Sequence, residues 1–312
     1  MTTDTPQRTV APPELVDRVA AKARRSERLR TLPLLPAVLM LLIFFLGPVI
    51  YAVYGSFTNA ALTGIAAVHP RFVGGTNYAN LATDPNFARV VWLTVVFVVA
   101  SAIIGQNILG MVLALLMNAA STTVAAIART VIVLTWILPE IVAAFTLYAF
   151  YSKSGTLAQV FALFGLHNLN LLFTAPLIPI ILANVWRGTA FSMMNYQAAL
   201  SGVPPELTES AMLDGAGGFR RFFDVTLPII RGGVVTNLML ITLQTLSVFT
   251  LIWVMTAGGP AGASTTLPVF AYTQAFQSGN IGYGTAIATI ILLVGAVFAV
   301  FYVRILPKGD TK

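Results

Sequence analysis

Apolar runs longer than about 18 residues recur along this chain, and that length suits the thickness of a bilayer better than the core of a soluble domain. Six such spans are predicted, at about 34–57, 90–118, 127–151, 171–194, 232–256 and 281–305. Composition agrees: 57% of the 312 residues are hydrophobic and only 9% are charged, where a soluble domain carries about 25% charge. Hydrocarbon offers no partner to a backbone amide, so each span is read as a helix that pairs its own amides. The expected fold class is all-α, a polytopic membrane protein with six transmembrane helices across residues 33–306.

The basic residues set the expected orientation. The tail 1–32 holds Arg8, Arg18, Lys22, Arg24, Arg25, Arg28 and Arg30. Six spans put Arg129, Arg187, Arg220, Arg221, Arg231, Arg304, Lys308 and Lys312 on the same side as that tail, which makes 15 of the 18 Lys and Arg. Both termini, including the C-terminal 307–312, are therefore expected to be cytoplasmic, and the net charge of +7 is attributed to topology rather than to nucleic acid. The tail reads either as a topological anchor or as an amphipathic helix resting on anionic membrane lipid. Its first 31 residues lack an early apolar core, so no signal peptide is expected. With no cysteine and only His69 and His167, a resident metal site is not expected. Pro139, Pro176 and Pro179 fall inside predicted spans and are expected to kink them.

The stretch 204–228 stands apart as a charged segment between apolar blocks. Pro204 and Pro205 suit a first helical turn, and Glu206 and Glu209 follow where the helix dipole favours negative charge. Leu207, Ser210, Ala211 and Asp214 share a small-sided face, and Gly215 suits a left-handed cap. A second short helix, GFRRFFD, is expected to end before Pro228. The expected product is a cytoplasmic helix–turn–helix; an amphipathic hairpin on the membrane is the other reading. Glu209-Ser210-Ala211, three residues, Gly215, nine residues, then Val225-Thr226-Leu227-Pro228 resembles the signature of permease subunits of binding-protein-dependent ABC importers. Ser210 and Val225 depart from the usual Ala and Ile, both with little change in size. FVGGTNYANLATDPNF, NVWRGTAFSMMNYQAALSGVPPEL and VMTAGGP are similar to further segments of the carbohydrate branch, the maltose and glycerol-phosphate type. The resemblance covers nearly the whole chain beyond the tail.

That resemblance implies a type I importer permease fold in which 204–228 docks into a separate ATPase through Glu206, Glu209, Ser210, Ala211, Asp214, Gly215, Leu227 and Pro228. It implies a second permease subunit, two ATPase subunits and an extracytoplasmic sugar-binding protein, in the bacterial cytoplasmic membrane, and a disaccharide such as trehalose as cargo. Gly258, Gly259 and Pro260 are then candidates for contact with the binding protein, with a plain tight turn as the other reading. No Gly-Lys pair occurs in the chain, so the usual phosphate-cradling loop is missing. ATP and Mg are expected in the partner ATPase, with no cofactor, no metal and no catalytic residue in this chain.

Polar residues inside spans are the candidates for the substrate pathway. Glu140, Asn184 and Gln244 are predicted at similar depth, with Phe249 and Trp253 nearby to offer aromatic faces; Trp136 and Tyr148 lie on the same predicted helices. Gln106, Asn107 and Asn237 read as interhelical hydrogen-bond partners. Glu140 is open to two roles, accepting from a sugar hydroxyl or pairing with a partner's base. Arg187 is placed at the inner end of span four, where snorkelling accounts for it. Two rival functions are an ion-coupled secondary transporter, for which Glu140 is the one mid-span acid, and a membrane-embedded lipid-modifying enzyme, for which no converging acid–base motif is present.

Overall fold

The computed structural model describes residues 35–167 and 170–305. The basic tail 1–32 and the C-terminal 307–312, with the readings attached to them, lie outside the described residues. The architecture is all-helical. Among the described residues the only extended pairing is one antiparallel bridge, Thr58 with Phe72. Five helices are long and apolar enough to cross a membrane, or six if one bent pair counts as a span.

Contacts divide the chain into residues 1–54 and 55–312. In the first unit the described structure is the helix α1, Leu35–Gly55, as far as Tyr54. It is apolar on all sides, as suits a helix surrounded by lipid, and it contains a π turn at Leu42–Leu46.

In the second unit, a connecting segment leads to α2 (Thr76–Thr83) and α3 (Pro85–Ala119). Asp84 starts α3 by accepting from the Asn86 N–H at 2.8 Å, while Pro85 occupies a first-turn position where its missing donor is not needed. A π stretch, Val98–Gln106, lies midway along α3.

The third predicted span is a correction. It is two helices, α4 (Thr122–Ile137) and α5 (Glu140–Tyr151), bent by 100° at the intervening break. Pro139 does more than kink: its ring drives the preceding Leu138 to φ −56°, ψ 132°, which ends α4 outright. The fourth is α6, Leu177–Leu200. Pro176 sits just before it and Pro179 in its first turn, so these prolines start the helix instead of kinking it.

Beyond α6 come α7 (Pro205–Leu213) and α8 (Gly218–Leu246). The expected short helix ending before Pro228 does not stop there but runs straight on into the fifth span. A π turn at Phe222–Thr226 makes this possible. It loosens the ladder around Asp224, the carbonyl that the Pro228 ring would otherwise strike four residues back. The fifth span also breaks earlier than expected: Ser247 to Phe249 separate α8 from α9 (Thr250–Thr256). The chain closes with α10 (Leu267–Tyr272), extended by a π turn at Thr273–Gln277, and α11 (Ile281–Ile305).

α3 and α6 cross closely because small residues face each other. A Cβ on Gly105 would lie 2.4 Å from Val185, and one on Gly110 2.5 Å from Ser192. Around this crossing one core cluster joins Phe97, Ala144, Ile180, Leu251, Ile252 and Met255. A second joins Ala114, Met193, Tyr196 and Ile230, and a third Leu81, Val90, Phe270 and Ile287. Large apolar side chains such as Ile104, Ile108 and Leu116 on the outer face of α3 are exposed, as expected of a lipid-facing surface.

Candidate functional site

The two helix breaks meet at one place. A cavity of about 530 Å³ is lined by Trp136 and Glu140 from either side of the α4–α5 bend, by Gln244, Ser247 and Val248 at the α8–α9 break, and by Gln106, Asn184 and Arg187. Glu140 belongs to the first turn of α5. One of its oxygens, Oε1, accepts from the Leu251 N–H at 3.1 Å, which caps the start of α9. The other, Oε2, lies 3.9 Å from Nη1 of Arg187. Both side chains are a little over a quarter exposed, at 28% and 27%.

Arg187 is a correction. It stands near the middle of α6, not at an end, and faces the cavity. The ion pair is long, and among the described residues the buried Nε has no hydrogen-bond partner. A guanidinium has five N–H donors and no acceptor, so the site favours a ligand rich in oxygen acceptors.

The amides divide into held and free. Nε2 of Gln106 donates to the Asn184 carbonyl at 3.1 Å. Gln106 reaches across α6 only because position 188 is glycine; a Cβ there would lie 2.2 Å from its Oε1. Nδ2 of Asn184 donates to Ser101 Oγ at 2.9 Å and Thr245 Oγ1 at 3.4 Å. Gln244 is exposed to the cavity and makes no side-chain hydrogen bond among the described residues. Glu140, Asn184 and Gln244 are thus brought together, whereas Phe249 and Trp253 are not among the lining residues. Those two rings stack at 5.7 Å and pack on Tyr272 at 4.9 and 4.8 Å, beside the site. Trp136, which does line it, stacks on Phe191 at 5.8 Å.

A separate polar layer is structural. Nδ2 of Asn237 donates to Asn107 Oδ1 at 3.0 Å and to Ser192 Oγ at 3.2 Å. Its Oδ1 accepts from Asn195 at 3.0 Å, and the Tyr196 hydroxyl donates to Asn107. Asn107 and Asn237 are interhelical ties of the kind their sequence positions suggest.

In the 204–228 segment, Glu206 lies in the first turn of α7. Gly215 adopts φ +75°, and the Ala216 N–H reaches the Ala211 carbonyl at 3.0 Å, closing a left-handed cap. Ser210 donates back to the Leu207 carbonyl at 3.1 Å. Glu209 and Asp214 are exposed, while Leu227 is half-buried and Pro228 exposed. Leu213 and Phe219, which the sequence pattern does not single out, stand 90% and 80% exposed. They give the 214–218 turn two exposed apolar side chains at its ends, an apolar tip.

The Gly258-Gly259-Pro260 turn is tightly built. Gly258 and Gly259 have φ of +92° and +75°, and a Cβ on Gly259 would meet Ser264 Oγ at 2.8 Å and Pro176 at 3.0 Å. Arg89 fastens the loop through the Ala261 carbonyl at 3.0 Å.

Comparison with known proteins gives one consistent picture. Residues 106–309 match the family model described as binding-protein-dependent transport system inner membrane component. A trehalose/maltose transport system permease protein of Thermococcus litoralis is 30% identical over 285 residues, covering 90% of this chain and 94% of that one. A sulfoquinovosyl glycerol transport system permease protein of Agrobacterium fabrum is 30% identical over 286 residues, covering 90% and 91%. Among solved structures, a chain of a bacterial alginate ABC transporter, crystallised with a periplasmic protein bound to an alginate pentasaccharide, superposes with a TM-score of 0.74 at 21% identity. That match covers 90% of this chain and 94% of the other and bears on the fold.

Proposed function

Since the chain belongs to the family of binding-protein-dependent transport system inner membrane components, we propose that it is the permease subunit of an ATP-driven importer that passes a disaccharide such as trehalose through the Glu140–Arg187 cavity. Its relatives support an ABC importer permease for sugars. The choice of a disaccharide goes beyond them, because relatives at the same identity are named for chemically different sugars.

The observation that carries the reading is the cavity itself. It sets a guanidinium with a spare donor, a free amide and an indole at the meeting point of two broken helices. Sugars offer hydroxyl oxygens to such donors and a ring face to such an indole. Glu140 is engaged twice by this chain itself, through the α9 cap and Arg187. Those two contacts support a role for it in organising the site. They leave an ion-coupled rival without a spare mid-span acid among the described residues.

The mechanism is alternating access. ATP, with Mg, binds between two ATPase subunits and closes them, and the 204–228 segment carries that motion into the bundle. Leu213 and Phe219 supply the apolar contact, while Glu206 and Glu209 face the partner. With both termini cytoplasmic, a second permease completes the cavity, and a loaded binding protein docks near Gly258–Pro260. Each state must bind the cargo differently for the cycle to turn.

The test is uptake by the full complex reconstituted in proteoliposomes, with binding protein outside, ATP inside and a panel of labelled disaccharides. Uptake of one disaccharide that depends on ATP and weakens in Gln244→Ala is expected. Uptake that continues without ATP, or that ignores every sugar, overturns the reading.

A further inference from the structure

A second polar cleft, of about 580 Å³, shares no lining residue with the central cavity. It is built where the segment after α1 meets α2 and the loop entering α11. Asn59, Asn80, Gln274 and Asn280 line it, with Asp84 and Tyr283. Under the orientation proposed above it opens to the outside. We propose that this cleft is an additional sugar-binding site, specific for neutral sugars, that holds cargo ahead of the central cavity; the inference rests on the sugar-permease reading.

The frame is rigid. Leu62 N–H donates to the Gly279 carbonyl and Gly282 N–H to the Ala60 carbonyl, both at 2.8 Å, and Asn280 N–H to the Gln274 carbonyl at 2.9 Å. Nδ2 of Asn77 ties Ser56 and Thr58 carbonyls at 2.8 Å each. Gly282 sits so close to the Thr58 carbonyl that a Cβ would lie 2.0 Å from it. The frame consumes backbone groups and the Asn77 amide, and it leaves over other side chains that line the cleft. Among the described residues, the amides of Asn80, Gln274 and Asn280 make no hydrogen bond to protein. Asn280 immediately precedes α11, where an Asn ordinarily turns inward to cap the helix, yet its side chain lines the cleft instead. Asn59 spends its oxygen on the Arg71 N–H at 2.6 Å and keeps its NH₂.

An amide carries a donor and an acceptor side by side, which matches a pair of neighbouring sugar hydroxyls. Several amides from separate segments, fixed on one frame, make that match repeatable and lower the ordering cost of binding. The charge pattern selects neutral cargo. Asp84 is the one ionisable carboxylate in the lining, its oxygens accepting from Asn86 N–H at 2.8 Å and Tyr283 hydroxyl at 3.0 Å, and neither Lys nor Arg lines the cleft. An anionic sugar would meet that charge with no cation to offset it. A metal ion is a poor fit, since no group of three His, Cys, Asp or Glu forms among the described residues.

The test is saturation-transfer NMR on the complete importer in nanodiscs, without binding protein, using trehalose and glucose as probes. Wild type and Gln244→Ala are expected to show sugar binding. Asn80→Ala combined with Gln274→Ala, which breaks no side-chain hydrogen bond among the described residues, is expected to weaken the binding that remains in Gln244→Ala about tenfold. Absence of binding in wild type overturns the proposal. So does binding that survives the double variant and disappears in Gln244→Ala; that result confines sugar to the central cavity and leaves the permease reading standing. If the double variant keeps sugar binding and instead weakens attachment of the binding protein, the cleft is a docking surface and the proposal falls. ATP-dependent uptake, measured separately, reports on the permease reading alone.

Discussion

Replacing Glu140 by Gln isolates what the acid does for the cavity. The amide keeps an oxygen for the Leu251 N–H, so the cap on α9 survives, but the charge beside Arg187 is gone. At 3.9 Å two unit charges attract by about 4 kcal/mol when the effective dielectric is roughly 20. Each ion has also given up part of its hydration to enter the cavity, and water still reaches about a quarter of each side chain, so the net coupling is about 1–3 kcal/mol. A double-mutant cycle of Glu140→Gln and Arg187→Gln, read by unfolding of the purified complex, should return that value. Glu140→Ala, which removes the cap as well, should cost about 1 kcal/mol more than Glu140→Gln. Uptake should fall in Glu140→Gln and recover in part in the double variant, where the stranded guanidinium is gone. Additivity of the two single changes within about 0.5 kcal/mol, with normal uptake in both, would refute the argument that the pair organises the site.

The apolar tip supplies a second expectation. Leu213→Asp with Phe219→Asp should abolish co-purification of the ATPase while leaving membrane insertion intact, and undiminished co-purification counts against docking at this turn. Asn237→Leu removes a fully buried hub and strands Asn107, Ser192 and Asn195. Unfolding should show a loss of about 1–3 kcal/mol, and no loss would mean the network is not a tie between helices.

Much of the fold was legible because bilayer thickness imposes a length that hydropathy can measure. The last helix, Ile281–Ile305, contains neither proline nor a charged break before Arg304, and nothing competes with its pattern. Misreadings cluster at prolines, because hydropathy is blind to the direction of the chain. Pro139 divides a run that looks continuous, Pro176 and Pro179 begin a helix that looks longer, and Pro228 sits inside a helix it should end. Arg187 was misplaced for a different reason. Placing the end of span four six residues early, at Met194 instead of Leu200, moved a mid-helix guanidinium to the interface on paper and made snorkelling a sufficient account. Glu140, Asn184 and Gln244 were legible as intramembrane polar groups, and that they share a cavity is a fact of helix crossing. The crossing depends on which glycines face which neighbours, as Gly188 faces Gln106. Exposure of Leu213 and Phe219 was likewise hidden, since an apolar residue in a short helix reads as buried until the packing is known.

The helix breaks and the polar cavity explain each other. A break inside an apolar span frees backbone donors and acceptors, and hydrocarbon offers them no partner. Such a break survives only where protein groups or water can serve it. The α8–α9 break exposes the first N–H groups of α9, and Glu140 serves the one on Leu251. Glu140 is available there because Pro139 has ended α4 and turned the chain by 100°, which sets the acid in a first turn instead of mid-helix. Once that carboxylate sits in the bundle its charge needs compensation, which Arg187 provides only at 3.9 Å. The buried Nε of Arg187 then requires an acceptor that the described residues do not offer. One proline thus leads, through a cap and an incomplete ion pair, to a site that is still short of oxygen ligands, and a passing polyol can satisfy it without any change in the fold.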